Sequence, residues 1–83
     1  MNETLRKILA EHGKLAVDAA GLKDGDDLYA AGLTSFATVQ LMLAIEGEFD
    51  IEIPDRMLNR RTFASIAALA DCVKQLVEER APA

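Results

Sequence analysis

Gly32-Leu33-Thr34-Ser35-Phe36-Ala37-Thr38-Val39-Gln40-Leu41-Met42-Leu43-Ala44-Ile45-Glu46-Gly47-Glu48 decides how this chain folds, because here a loop turns into a strongly apolar helix. Ser35 stands at the junction. A helix start offers unpaired backbone N–H groups and the positive end of the helix dipole, so a phosphate ester on Ser35 would lie in a favourable field. The residue types therefore point to a serine that is modified and not to one that catalyses.

The spacing predicts a helix over residues 35–48, apolar on two sides. Leu41, Met42, Ile45 and Phe49 cluster on one face. Phe36, Val39 and Leu43, flanked by Gln40 and Gly47, lie nearly opposite. Only one face can be the intramolecular core of so small a protein. The other is either covered by the preceding loop and a further helix or left as a docking surface.

Working outward, Leu5, Ile8, Leu9 and His12 recur at helical spacing and predict an amphipathic helix over residues 3–13, ending near Gly13. Lys14 to Leu33 holds three glycines and the Asp24-Gly25-Asp26-Asp27 cluster, which reads as a long ordered loop with room for one helical turn. Leu22, Leu28, Tyr29 and Leu33 are its expected anchors. After the second helix, Asp50-Ile51-Glu52-Ile53-Pro54-Asp55 alternates acidic and apolar residues and then meets proline, predicting an extended connection with Ile51 and Ile53 turned inward. A short helix over Asp55 to Asn59 follows, with proline near its first turn. Thr62 is the expected N-cap of the last helix, which would bury Phe63, Ile66, Ala70, Val73 and Val77, keep Leu69 and Leu76 at the edge, and fray from Glu78 onward.

The expected fold is therefore all-α, with three main helices, a short third helix and a long first loop, in a single domain spanning residues 1–83 and expected to be monomeric. A chain of 83 residues, 51% hydrophobic, can bury one modest core but has no room for a catalytic cleft. Fourteen acidic against nine basic residues give a net charge of -5, which disfavours nucleic acid and anionic membrane and favours a basic protein partner. Asp24 to Asp55 contains eight carboxylates and no Lys or Arg, so the acidity gathers around Ser35. The first residues lack a signal-peptide core, and no apolar run is long enough to span a bilayer, so a cytoplasmic location is expected.

Other chemistry finds little support. A serine nucleophile needs a neighbouring base, usually one oriented by a third group, and the sole histidine, His12, falls on the apolar stripe of the first helix. An EF-hand loop beginning at Asp24 would need glycine at its sixth position and glutamate at its twelfth, where Tyr29 and Ser35 stand. No metal site is expected. Cys72 is the single cysteine, excluding an internal disulfide, and its position off the predicted stripe suggests a partly exposed thiol. Arg56, Arg60 and Arg61 form the one basic cluster, available to Asp55, Glu52, solvent or a partner.

Gly32-Leu33-Thr34-Ser35-Phe36, with Val39, Leu41 and Ile45 after it, and then Glu48-Phe49-Asp50-Ile51-Glu52-Ile53-Pro54-Asp55, resembles the acyl carrier proteins of the phosphopantetheine-attachment family. The fixed spacing between the serine and the Glu-x-Phe-x-Ile-x-Ile-Pro run makes the resemblance specific, and it covers nearly the whole chain. It implies a four-helix bundle presenting Ser35 at the start of helix two. It also implies that a phosphopantetheinyl transferase places 4′-phosphopantetheine from coenzyme A on that hydroxyl. The arm's thiol would carry cargo as a thioester, loaded by a ligase and handed to a downstream acceptor, so the chain itself would not be an enzyme. The alternative is a carrier-fold binding module that is never modified.

Two departures from the family matter. The attachment tripeptide, commonly Asp-Ser-Leu, is Thr34-Ser35-Phe36 here, and Ala37 and Gln40 replace the early acidic residues of helix two. Thr34 can still cap the helix but brings no carboxylate to a transferase. Together these point to a dedicated partner outside general fatty-acid synthesis, with Thr34, Phe36, Val39, Gln40, Leu43, Glu46 and Gly47 as the candidate contact residues. Tyr29-Ala30-Ala31-Gly32-Leu33 and Asn59-Arg60-Arg61 are similar to aminoacyl carrier proteins, charged by ligases that resemble truncated aminoacyl-tRNA synthetases.

Overall fold

A computed structural model describes residues 1–13, 15 and 18–80. Three α-helices make up the fold: α1 (Asn2–His12), α2 (Ser35–Phe49) and α3 (Ile66–Arg80). Single 3₁₀ turns lie at Ala19–Gly21 and Asp55–Met57, and the described residues include no strand. The all-helical architecture matches the sequence reading, with the short third helix contracted to one turn. Pro54 and Asp55 carbonyls accept from Met57 and Leu58 N–H at 2.9 and 3.0 Å, after which Leu58 leaves helical geometry with ψ at 70°. No helix among the described residues is long and apolar enough to cross a membrane.

Leu5, Ile8 and Leu9 of α1 pack into the same core as Ala37, Leu41 and Ile45 of α2 and Ile66, Leu69, Val73 and Leu76 of α3. The i, i+4, i+8 spacing of the α2 trio makes a narrow fully buried stripe, flanked by half-buried Met42, Ala44 and Phe49, and leaves the face of Phe36, Val39 and Leu43 outside. Leu22, Leu28 and Leu33 are buried, as their role of anchors requires, and Tyr29 is half-buried against the same core. Lys14, Ala16 and Val17 of the first loop and Ala81 to Ala83 lie outside the described residues.

The last helix departs from expectation at its start. Thr62 is not its N-cap: Asn59 Oδ1 accepts from the Thr62 N–H at 3.0 Å and from its hydroxyl at 3.3 Å, holding residues 59–62 in a turn. Ser65 takes the capping role, its Oγ accepting from Ala68 N–H at 3.0 Å, and α3 begins at Ile66. The buried stripe is turned from the expected one: Leu69 and Leu76 are buried while Ala70 and Val77 are half-buried. Cys72 is also buried, against expectation, with its thiol 3.5 Å from Met57 Sδ, and that burial pushes its pKa up. At the other end the helix continues to Arg80. There Glu79 accepts both of its contacts from Arg56 at 3.1 Å, a partner other than the Asp55 or Glu52 suggested by proximity in sequence.

Polar bonds fasten the long first loop. Arg6 on α1 donates to the Leu22 carbonyl at 2.7 Å and to Asp24 Oδ1 at 2.8 Å. Leu28 N–H donates to Ala64 O at 2.7 Å, and Ala67 N–H to Asp24 O at 2.9 Å, joining the loop to the start of α3. The Arg6 hydrogen bond holds the Asp24 carboxyl below its ordinary range.

Two outcomes follow for stability. Ile45→Ala should cost about 2–5 kcal/mol in urea unfolding, whereas Leu43→Ala on the opposite face should stay within about 0.5 kcal/mol. Because the folded-state pKa of Asp24 is depressed, its contribution is present above the ordinary carboxylate pKa and is lost as pH falls through the lower folded value. The stability gap between wild type and Asp24→Asn should therefore close on acidification, as followed by thermal melts across pH.

Candidate functional site

The approach to Ser35 is built by a turn that only glycine adopts easily. Gly32 has φ at 111°, with its N–H donating to Tyr29 O at 3.1 Å, and Leu33 N–H returns to Leu28 O at 3.0 Å. Leu33 is then buried, which fixes where the chain enters α2. Thr34 is the N-cap, extended at φ -95° and ψ 166°, and its Oγ1 accepts from Ala37 N–H at 3.1 Å. Its carbonyl receives both the N–H and the hydroxyl of Thr38, at 2.9 and 2.7 Å. The helix start is thus capped without a carboxylate.

Ser35 is the first residue of α2 and is exposed. It lines an open groove of about 390 Å³ together with the apolar side chains of Val39, Met42, Leu58 and Phe63. Arg60 and Tyr29 line the same groove. The guanidinium carbon of Arg60 sits 3.9 Å from the centre of the Tyr29 ring, and the Tyr29 hydroxyl donates to Arg60 O at 3.1 Å. Burial raises the Tyr29 pKa and so keeps that donor protonated. His12 does not line this groove; its Nε2 lies 3.7 Å from Glu11 Oε2 at the end of α1. The arrangement leaves Ser35 exposed, and among the described residues lining the groove there is no His, Asp or Glu to act as its base.

Of the other candidate residues, Phe36, Val39 and Leu43 are 66, 49 and 54% exposed, and Gln40 and Gly47 are exposed with them. A side chain at Gly47 would meet nothing within 4 Å, so nothing inside the molecule asks for glycine there. Glu46 differs: it is half-buried, and its Oε2 accepts from Ile53 N–H at 2.8 Å, anchoring the connection after α2. The acidic cluster is similarly occupied. Asp26 accepts from Lys23 N–H and Asp27 from Tyr29 N–H, both at 2.9 Å, while Asp24 holds Arg6 and Asn2. Among the described residues, no group of three or more His, Cys, Asp or Glu side chains is placed to hold a metal ion.

The pairing of Arg60 with Tyr29 escapes a reading of the sequence, since the two are separated by 31 positions. Alternating acidic and apolar residues at 50–53 gave a hint that this connection would be pinned, but not that Glu46 would pin it.

Residues 3–73 match the family model described as the phosphopantetheine attachment site. The chain is 56% identical over 78 residues to an aminoacyl carrier protein of Agrobacterium fabrum, covering 94% of each. It superposes with a TM-score of 0.86 and 59% identity on a chain in the crystal structure of an engineered Bradyrhizobium japonicum glycine:[carrier protein] ligase complexed with a carrier protein from Agrobacterium tumefaciens and AMP. That match covers 89% of this chain and 99% of the other. A second structure, of the Bradyrhizobium japonicum ligase with glycylated carrier protein, matches at TM-score 0.74 and 31% identity over 86% of this chain and 95% of the other. With an exposed serine at a capped helix start and this extent of similarity, the chain belongs to the phosphopantetheine-attachment family, whose domains are non-catalytic carriers of covalent 4′-phosphopantetheine, and is a homologue of the aminoacyl carrier proteins.

Proposed function

We propose that Ser35 is the attachment residue and that the chain carries an aminoacyl group for a specialised pathway. The observation that carries this is the exposed Ser35 hydroxyl at a capped helix start, beside a groove that leaves room for an arm. Those residues fit the group: the helix dipole and the cationic side of the groove both favour a phosphodiester at that oxygen. When bound, the arm supplies a terminal thiol that holds cargo as a thioester.

The chain's part in the transfer is to present an oxygen. As the Ser35 oxygen forms its bond to phosphorus, the pyrophosphate link of coenzyme A breaks, adenosine 3′,5′-bisphosphate leaves with the electrons of that P–O bond, and the hydroxyl proton goes to a base on the phosphopantetheinyl transferase. Thr34 holds the helix start that presents this oxygen, its hydroxyl filling the capping role that an aspartate also fills. The fixed geometry supplies orientation, and the transferase supplies activation.

The ligases in the solved complexes with similar carriers are named for glycine, which supports a cargo-loading ligase of that class as this chain's partner. Thr34, Phe36, Val39, Gln40, Leu43 and Gly47 are the surface proposed to meet it, an apolar strip with no charge from Ser35 to Ile45. Gly47 adds close approach for the partner's backbone, at a cost in helix stability of about 0.5–1 kcal/mol relative to alanine. Glu46 is left out of this surface, because its carboxylate is committed to Ile53. An acceptor enzyme or protein downstream completes the cycle.

Intact-mass spectrometry after incubation with coenzyme A and a broad-specificity transferase tests the attachment. One phosphopantetheinyl group should add to the wild type and none to Ser35→Ala; an unmodified wild type that forms a stable complex with its partner would instead establish a binding-only module. Thr34→Ala should lower stability by about 1 kcal/mol in chemical unfolding, and Thr34→Asp should retain it.

A further inference from the structure

We propose that Arg60 positions the root of the arm, its guanidinium pairing with the phosphodiester on Ser35. The inference rests on Ser35 being the attachment residue and concerns what this chain does with the group once attached. Three arginines cluster in the connection to α3, and the fold gives each a different task. Arg56 is taken by Glu79 at 3.1 Å. Arg61 lines a separate groove with Asp71 and Cys72. Arg60 alone of the three lines the groove that Ser35 lines, and among the described residues it makes no ion pair.

Its placement is restrained from two sides. The guanidinium lies on the Tyr29 ring, and the Tyr29 hydroxyl holds the Arg60 carbonyl, so both side chain and backbone are tethered to a residue packed against the core. The carboxylate on this side is Asp27, whose Oδ1 is occupied by Tyr29 N–H. A groove of about 390 Å³ shared by Ser35 and Arg60 brings a covalently fixed anion within reach of a planar cation whose donors match phosphate oxygens. The pairing would join two charges in a groove open to solvent, so added salt weakens it.

An exposed ion pair adds little to global stability, so the deciding readout is spectroscopic. Wild-type protein labelled with nitrogen-15 is prepared apo and modified, with conversion confirmed by intact mass. The arginine Nε–Hε signals are assigned by through-bond correlation from the backbone amides. Modification should shift the Arg60 signal while those of Arg56 and Arg61 stay in place, and raising the salt concentration should reverse the shift. The phosphorus-31 signal of the modified protein should move in Arg60→Gln and return part-way in Arg60→Lys. Complete modification with an Arg60 signal that moves no more than the other two overturns the proposal. Absence of any mass gain overturns the assignment of Ser35 instead.

Discussion

The constraint on which the rest of this structure depends is that α2 is apolar around most of its circumference but buries a stripe only three residues long. Ala37, Leu41 and Ile45 are buried in the core that α2 shares with α1, while Phe36 and Leu43 remain more than half exposed. A chain of 83 residues has too little material to cover both sides. The helix is therefore divided lengthwise, with one side spent on folding and the other left beside Ser35. Burial on one side fixes the rotation of the helix, and that rotation decides which apolar residues a partner meets.

The long connection before α2 is held by polar bonds as much as by apolar anchors, and its acidity is largely consumed in holding it. Asp24 joins Arg6, and its carbonyl receives the N–H of Ala67, so one residue couples α1, the loop and α3. Asp26 and Asp27 close backbone turns. Short side-chain acceptors compete well for nearby N–H groups, which explains why an acidic loop becomes an ordered one. Its order has a functional consequence, because the same loop delivers Tyr29 to the groove beside Ser35 and Tyr29 in turn holds Arg60.

Net charge and local charge thus say different things. The chain carries -5 overall, favouring approach by a basic protein from a distance, yet the first ten residues of α2 bear no charge and the groove beside Ser35 has a cation at its edge. Long-range attraction and final contact are served by separate parts of the surface. In the proposed carrier role this separation would let apolar contact set the fit to a ligase without acidic residues crowding a phosphodiester on Ser35.

The sequence by itself determined the helical class, the three main helices, the position of Ser35 and Thr34 at the start of α2, and that α2 has two apolar faces, though not that the face of Phe36, Val39 and Leu43 is left uncovered. These were legible because each depends on local periodicity or on a cap within four residues. What only the tertiary structure decided depends on residues distant along the chain. Asn59 captures Thr62 and Ser65 becomes the cap, and packing of α3 against the core buries Leu69, Leu76 and Cys72. Arg56 reaches Glu79 across 23 positions, Glu46 turns back to Ile53, and Arg60 settles on Tyr29. Periodicity reports which side of a helix is apolar; which polar group finds which partner is set by the packing that brings them together, and no local pattern encodes it.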